Sequence, residues 1–144
     1  MAEHDRPRCV LSVGSAVEHS VFSRVINCDR VAAAPALIEE HDCELAVIRA
    51  TAFGEGLGDQ RTLSAINLQC PLILMGVSTA SRLSGFADLC VDTLHADNVE
   101  AVWQEVRARW YRQREQRVAA AVDAVGQLAG GTAHDLNNVL MVVL

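Results

Sequence analysis

Lysine is absent from this 144-residue chain: all 12 of its basic side chains are arginine. Any mechanism that needs a side-chain ammonium group is therefore excluded. No apolar run approaches the ~20 residues that a membrane helix requires, and no signal-peptide pattern opens the chain, so a cytoplasmic location is expected. The five cysteines (Cys9, Cys28, Cys43, Cys70, Cys90) are scattered, odd in number and without CxxC spacing. That pattern argues against a disulfide frame or a zinc site and for buried thiols in a reducing compartment. Over most of the length the arginines are not gathered into a nucleic-acid footprint. What is present is apolar: 51% hydrophobic against 21% charged residues, with a net charge of −6. A packed core is expected, in one domain of ordinary size with some chain left over.

The first two-thirds alternates short apolar runs with helix-like stretches. Val10 to Val13 reads as a strand. Val17, Val21, Phe22 and Val25 fall at helical spacing and predict a helix from Val17 to Ile26. A weak strand is expected around Val31 to Ala34, after which Pro35 opens a short helix through Glu40. Leu45 to Ile48 is a clear strand, and Gly54, Gly56 and Gly58 mark a loop after it. Leu63 and Ile66 suggest a further helix, Pro71 introduces the strand Leu72 to Met75, Ser78 to Phe86 reads as helical, and Leu89 to Val91 is a last short strand. Five strands separated by helices predict an α/β fold, a doubly wound parallel sheet.

From Asp97 the character changes. Asp97 or Asn98 can cap a helix, and neither proline nor glycine interrupts the run before Gly126. Val99, Val102, Trp103, Val106 and Trp110 supply an apolar stripe at spacings of three and four. Arg107 to Arg117 holds five arginines. Such a run is ordinarily a solvated helix face, and a surface for acidic partners is the lesser reading. Apolar character returns at Val118, Val122, Val125 and Leu128. The chain thus reads as a sheet domain over 1–96, a linker helix over 97–125 whose start can equally be the last helix of that domain, and a final segment over 126–144.

That final segment carries the chemistry. Val125 to Leu140 reads VGQLAGGTAHDLNNVL. An imidazole is a nucleophile near neutral pH, and Asp135, directly after His134, is placed to accept a hydrogen bond from the other ring nitrogen. Asn138 follows by four residues and projects from the same helix face. Gly130 and Gly131 each weaken a helix by about 1 kcal/mol against alanine and remove bulk one turn before the histidine. A lone histidine on a helix is usually a surface or capping residue, and that reading holds for His4, His19, His41 and His95. No second histidine stands at ligand spacing from His134, so no metal site is expected.

The stretch resembles the H-box of two-component sensor histidine kinases, in particular those whose motif runs GxLAGGxAHDFNNxL, with Leu136 in place of the usual phenylalanine. The resemblance implies that His134 is the phosphoacceptor, that Asp135 orients it, and that Asn138 positions water when a partner is dephosphorylated. It further implies a homodimer, a helical bundle built from two hairpins, and a downstream response-regulator receiver as partner.

With the H-box in view, the upstream domain resembles the receiver domains that accompany such kinases: a flavodoxin-like, five-stranded parallel sheet. Residues 44 to 48 resemble the strand that ends at the phosphorylated aspartate, 71 to 75 the following strand, and 85 to 91 the approach to the last. The active positions then fail one by one. The acceptor aspartate falls at Arg49, the acidic pair that holds magnesium falls near Gly14 and Ser15, the hydroxyl residue is replaced by Gly76, and the lysine by Asp92, with Thr93 in place of proline. The resemblance is to a pseudo-receiver that cannot take phosphate in the usual way; an unrelated flavodoxin-like module for dimerisation or docking is the plainer alternative.

The chain stops at Leu144 inside an apolar run, without the second hairpin helix or an ATP-binding domain. It is expected to be an amino-terminal fragment of a larger kinase, inactive by itself, with ATP and magnesium entering only through a separate catalytic module. Dimerisation is expected through Trp103 and Trp110, which need burial against the domain or a second chain. A module with a vestigial histidine that only dimerises or docks a partner, and a stand-alone phosphotransfer protein, are the competing expectations.

Overall fold

A computed structural model describes residues 6–18, 20–52, 57–77 and 82–131. β1 (Val10–Val13), β3 (Leu45–Arg49) and β4 (Leu72–Met75) are short apolar runs, and all are buried on both faces except Arg49. Uninterrupted apolar strands of this kind belong to parallel sheets covered on both sides. β2 (Val25–Cys28) and β5 (Leu89–Val91) close the two edges, and the order is β2-β1-β3-β4-β5, every pair parallel. The register sets Val10 opposite Leu45 and Ile48 opposite Leu74.

Alternation along the strands sorts the core into two layers. Leu11, Val13, Ala46, Ile48, Leu72 and Leu74 face α1 (Ala34–His41) and α2 (Leu57–Gln69), where Ile38, Leu63 and Ile66 complete the layer. Val10, Leu45, Val47, Ile73 and Met75 face the other way, against Val17, Val21, Phe22 and the first turns of α3 (Val99–Gly131).

The helix expected from Val17 to Ile26 does not form. Its last residues are instead β2, and only 11 residues separate β1 from β2. That is too few for a helix with a loop at each end, since a helical crossover between parallel strands takes a dozen residues or more. Val17, Val21 and Phe22 are buried all the same, in a turn-rich connection that covers the sheet where a helix would otherwise lie. The strand expected at Val31 to Ala34 is a 3-10 turn, Val31–Ala33, that runs into α1. Pro35 does stand in the first turn of that helix. The helix read at Ser78 to Phe86 is a 3-10 turn over Arg82–Phe86, with 78–81 outside the described residues. Gly58 lies inside α2 rather than in a loop, and Gly54 and Gly56 are outside the described residues.

By internal contacts the chain divides into Met1–Trp110 and Tyr111–Leu144. Within the first unit, Val99, Trp103, Val106 and Trp110 are all buried. This corrects the expected dimerisation route, because both tryptophans are spent on the unit's own core: Trp103 packs against the sheet, and the Trp110 indole N–H donates to the Asn67 carbonyl at 2.7 Å. Within the second unit, Tyr111, Val118, Val122, Val125 and Leu128 are exposed. Among the described residues, no helix is long and apolar enough to cross a membrane.

Candidate functional site

In a parallel sheet of this kind, ligands and chemistry sit beyond the carboxyl ends of the strands, where the order reverses. Here that point lies between β1 and β3. The chain leaves β1 through two consecutive left-handed residues, Gly14 at φ 73° and Ser15 at φ 56°. The Gly14 N–H donates to the Cys28 carbonyl at 3.0 Å. A methyl group at Gly14 would meet the Ala52 Cβ at 3.0 Å and the Arg49 Cβ at 3.5 Å, so both the backbone and the space demand glycine. Arg49, the last residue of β3, is exposed and turns its guanidinium back to donate to the Ser15 carbonyl at 3.1 Å. Gly76, just beyond β4, also holds a positive φ of 73°, and its N–H donates to the Val91 carbonyl at 3.1 Å. Asp92 follows β5 and is exposed.

The structure sets Gly14, Ser15, Arg49, Gly76 and Asp92 at or just beyond the carboxyl ends of β1, β3, β4 and β5. Of the five, Arg49, Gly14 and Ser15 are in close proximity. At the point where β1 and β3 diverge, the charge is a guanidinium rather than a carboxylate group. A carboxylate pair would attract a divalent cation there; an arginine repels one and favours anions.

The fold is flavodoxin-like. The order β2-β1-β3-β4-β5 is the doubly wound order of that class and the receiver-type order expected above. No protein-family model matches the chain, and no curated protein matches it. Among solved structures, a signal receiver domain from Vibrio parahaemolyticus is similar over 79% of this chain and 97% of that chain, at 16% identity and a TM-score of 0.47.

His134, Asp135 and Asn138 lie outside the described residues. The described part of α3 reaches Gly131, three residues before His134, and includes Gly130 and Gly131. A side chain at Gly126 would meet nothing within 4 Å. Among the described residues, no three His, Cys, Asp or Glu side chains gather where they could share a metal ion.

One constellation escaped sequence reasoning. Asp88 and Asn67 are buried, and the Asn67 side-chain amide donates to Asp88 Oδ2 at 2.7 Å, as does the Leu72 N–H at 2.9 Å. Arg109 Nη1 donates to the Asp88 carbonyl at 3.3 Å, and Trp110 to the Asn67 carbonyl. A buried carboxylate is costly unless so supplied with donors, and this network fastens the last turns of α3 in the first unit to α2 and to the approach to β5. The signal was thin: Asn67 stands four residues after Leu63, so a polar residue shares the helix face of a core leucine.

The cysteines are all free thiols; four are buried and Cys90 is half-buried. Burial pushes Cys70 up to about 12, and Cys43 reaches about 12 through burial and then the neighbouring Cys9 thiol. Burial also raises Cys90.

Proposed function

We propose that the chain is the regulatory and phosphoacceptor part of a sensor histidine kinase in a two-component phosphorelay, with His134 accepting the phosphoryl group from ATP bound to a catalytic domain on a separate module. Asp135 orients the imidazole and stabilises the imidazolium as phosphorus is attacked; Asn138 positions water when the partner receiver is dephosphorylated. ATP and magnesium enter with the catalytic domain, and the response-regulator receiver takes the phosphoryl group onward. The reading places the protein in the cytoplasm.

The observation that carries the reading is the course of α3. It begins on the flavodoxin-like unit and runs unbroken to Gly131, so the opening residues of the motif, Val125 to Gly131, are helical. An H-box must lie on a helix for His134 and Asn138 to share a face. The sheet edge supports the second half of the proposal: with Arg49 where an acceptor carboxylate would stand, the sheet unit regulates or dimerises rather than receiving phosphate.

The homodimer belongs to the same reading, and the exposed stripe takes over from the tryptophans as its surface. Val118, Val122 and Val125 follow the alternating three-and-four spacing of a coiled-coil seam, which Ala129, Thr132, Leu136 and Val139 continue in sequence. A second copy of the chain offers the same stripe in return.

Phosphate transfer tests the proposal. The chain is mixed with the ATP-binding domain of its kinase and radiolabelled ATP, beside a His134→Ala variant. Label on the unsubstituted chain alone is the expected result. Equal labelling of both, or of neither, favours the alternative, a dimerisation or docking module with a vestigial histidine.

A further inference from the structure

Cys9 and Cys43 stand just before two neighbouring parallel strands, β1 and β3. Val10 faces Leu45 across the ladder, and the Glu44 N–H donates to the Cys9 carbonyl at 2.9 Å, so the backbones are joined beside both thiols. The two sulfurs lie 3.5 Å apart, in hydrogen-bond contact and buried. Cys28, at the opposite end of the sheet, is engaged elsewhere, donating to the Arg30 carbonyl at 2.9 Å. We propose that Cys9 and Cys43 are a redox-modification site, forming a reversible disulfide when the chain meets a small peroxide.

Three features carry this. A disulfide needs sulfurs about 2.05 Å apart, and these two already lie 3.5 Å apart on backbones that are hydrogen-bonded to each other. The site lies one residue along the chain from the surface: Arg8 beside Cys9, and Asp42 and Glu44 beside Cys43, are exposed. The chain between the two cysteines holds β1, β2 and α1, and the bond would close it into a loop at the base of the sheet.

The chemistry balances without another reagent. The Cys9 sulfur attacks one peroxide oxygen; the S–O bond forms, the O–O bond breaks, and the departing oxygen leaves as water with the thiol proton. The Cys43 sulfur then displaces the hydroxyl from the Cys9 sulfenic acid; the S–S bond forms, the S–O bond breaks, and a second water leaves. Two thiols lose two electrons and the peroxide is reduced to two waters. The same steps run with the two sulfurs exchanged: Cys43 is raised by burial and by the Cys9 thiol beside it, and proximity rather than a ready thiolate drives the closure.

The test is a thiol count on the whole chain. After exposure to hydrogen peroxide, the protein is unfolded, remaining thiols are alkylated with N-ethylmaleimide, and the intact mass and peptide map are read. Two of the five thiols should be lost, with Cys9 joined to Cys43 in the map and both recovered after dithiothreitol. A Cys28→Ser variant should behave the same, and a Cys43→Ser variant should form no intramolecular disulfide. Five alkylated thiols after oxidation, or a disulfide between any other pair, overturns the proposal. The map of the unsubstituted chain decides the matter even if a variant folds poorly.

Discussion

Trp103 and Val122 belong to one helix, yet the first is 5% exposed and the second 64%. At about 100° per residue, Val99, Trp103, Val106 and Trp110 fall along one line of α3, while Tyr111, Val118, Val122 and Val125 fall along another about a quarter-turn round. The change comes between Trp110 and Tyr111, where the chain's two units meet in sequence. An apolar stripe that serves one core must keep its phase; a shift of phase means that the second stripe serves something else. Propensity does not distinguish the two stretches. Only the surface opposite does, and for the second it is, on the proposal above, another copy of the chain.

The largest effect is expected in the first stretch. Trp103→Ala removes a buried indole and should cost about 3–5 kcal/mol, read from denaturant unfolding of the sheet unit. A loss below about 1 kcal/mol would erase the contrast between the stretches. Alkaline pH comes next. Cys70 and Cys43 are raised in the folded state from an ordinary 9 to about 12, so their contribution is complete below pH 9 and is lost as pH climbs toward 12, where the unfolded chain releases protons that the folded chain retains. Stability should fall over that window, and less steeply in a Cys70→Val variant.

Gly14→Ala should be milder, about 1–3 kcal/mol, because the left-handed backbone and the Ala52 Cβ at 3.0 Å both resist a methyl group. Its partner at the same edge, Ser15, already tolerates φ 56°, so Ser15→Gly should leave stability level or slightly higher. The smallest effect on folding sharpens the comparison most. Val118→Ser with Val122→Ser should change the stability of the sheet unit by no more than about 0.5 kcal/mol while weakening self-association in sedimentation. Unchanged association would remove the second stripe as the dimer seam.

Much of this was legible beforehand, for reasons that can be named. Val10 to Val13, Leu45 to Ile48, Leu72 to Met75 and Leu89 to Val91 are strands in the structure because each is a short apolar run bounded by polar or turn residues, a local property. The place of Gly14, Arg49, Gly76 and Asp92 at the carboxyl ends of the sheet was legible too, since they directly follow or end those strands. β2 was missed because Val17, Val21, Phe22 and Val25 do carry helical spacing; what forbids the helix is the 11-residue span, a property of the connection between two strands. The buried Asp88–Asn67 pair was missed because its partners come from α2, β4 and α3, which are distant in sequence.

The sequence alone determined what this protein cannot do with its side chains and what it carries in its last segment: no lysine ammonium, an arginine rather than a carboxylate at the end of β3, and a histidine, an aspartate and an asparagine at fixed spacing. Identity and spacing along the chain suffice for these. The tertiary structure decided which of two apolar stripes on one helix is covered, that Arg49 turns back to the Ser15 carbonyl, and that two of five scattered cysteines lie sulfur to sulfur. Those outcomes depend on what the sheet order brings opposite each side chain, and packing between segments far apart in sequence leaves no local periodicity to read.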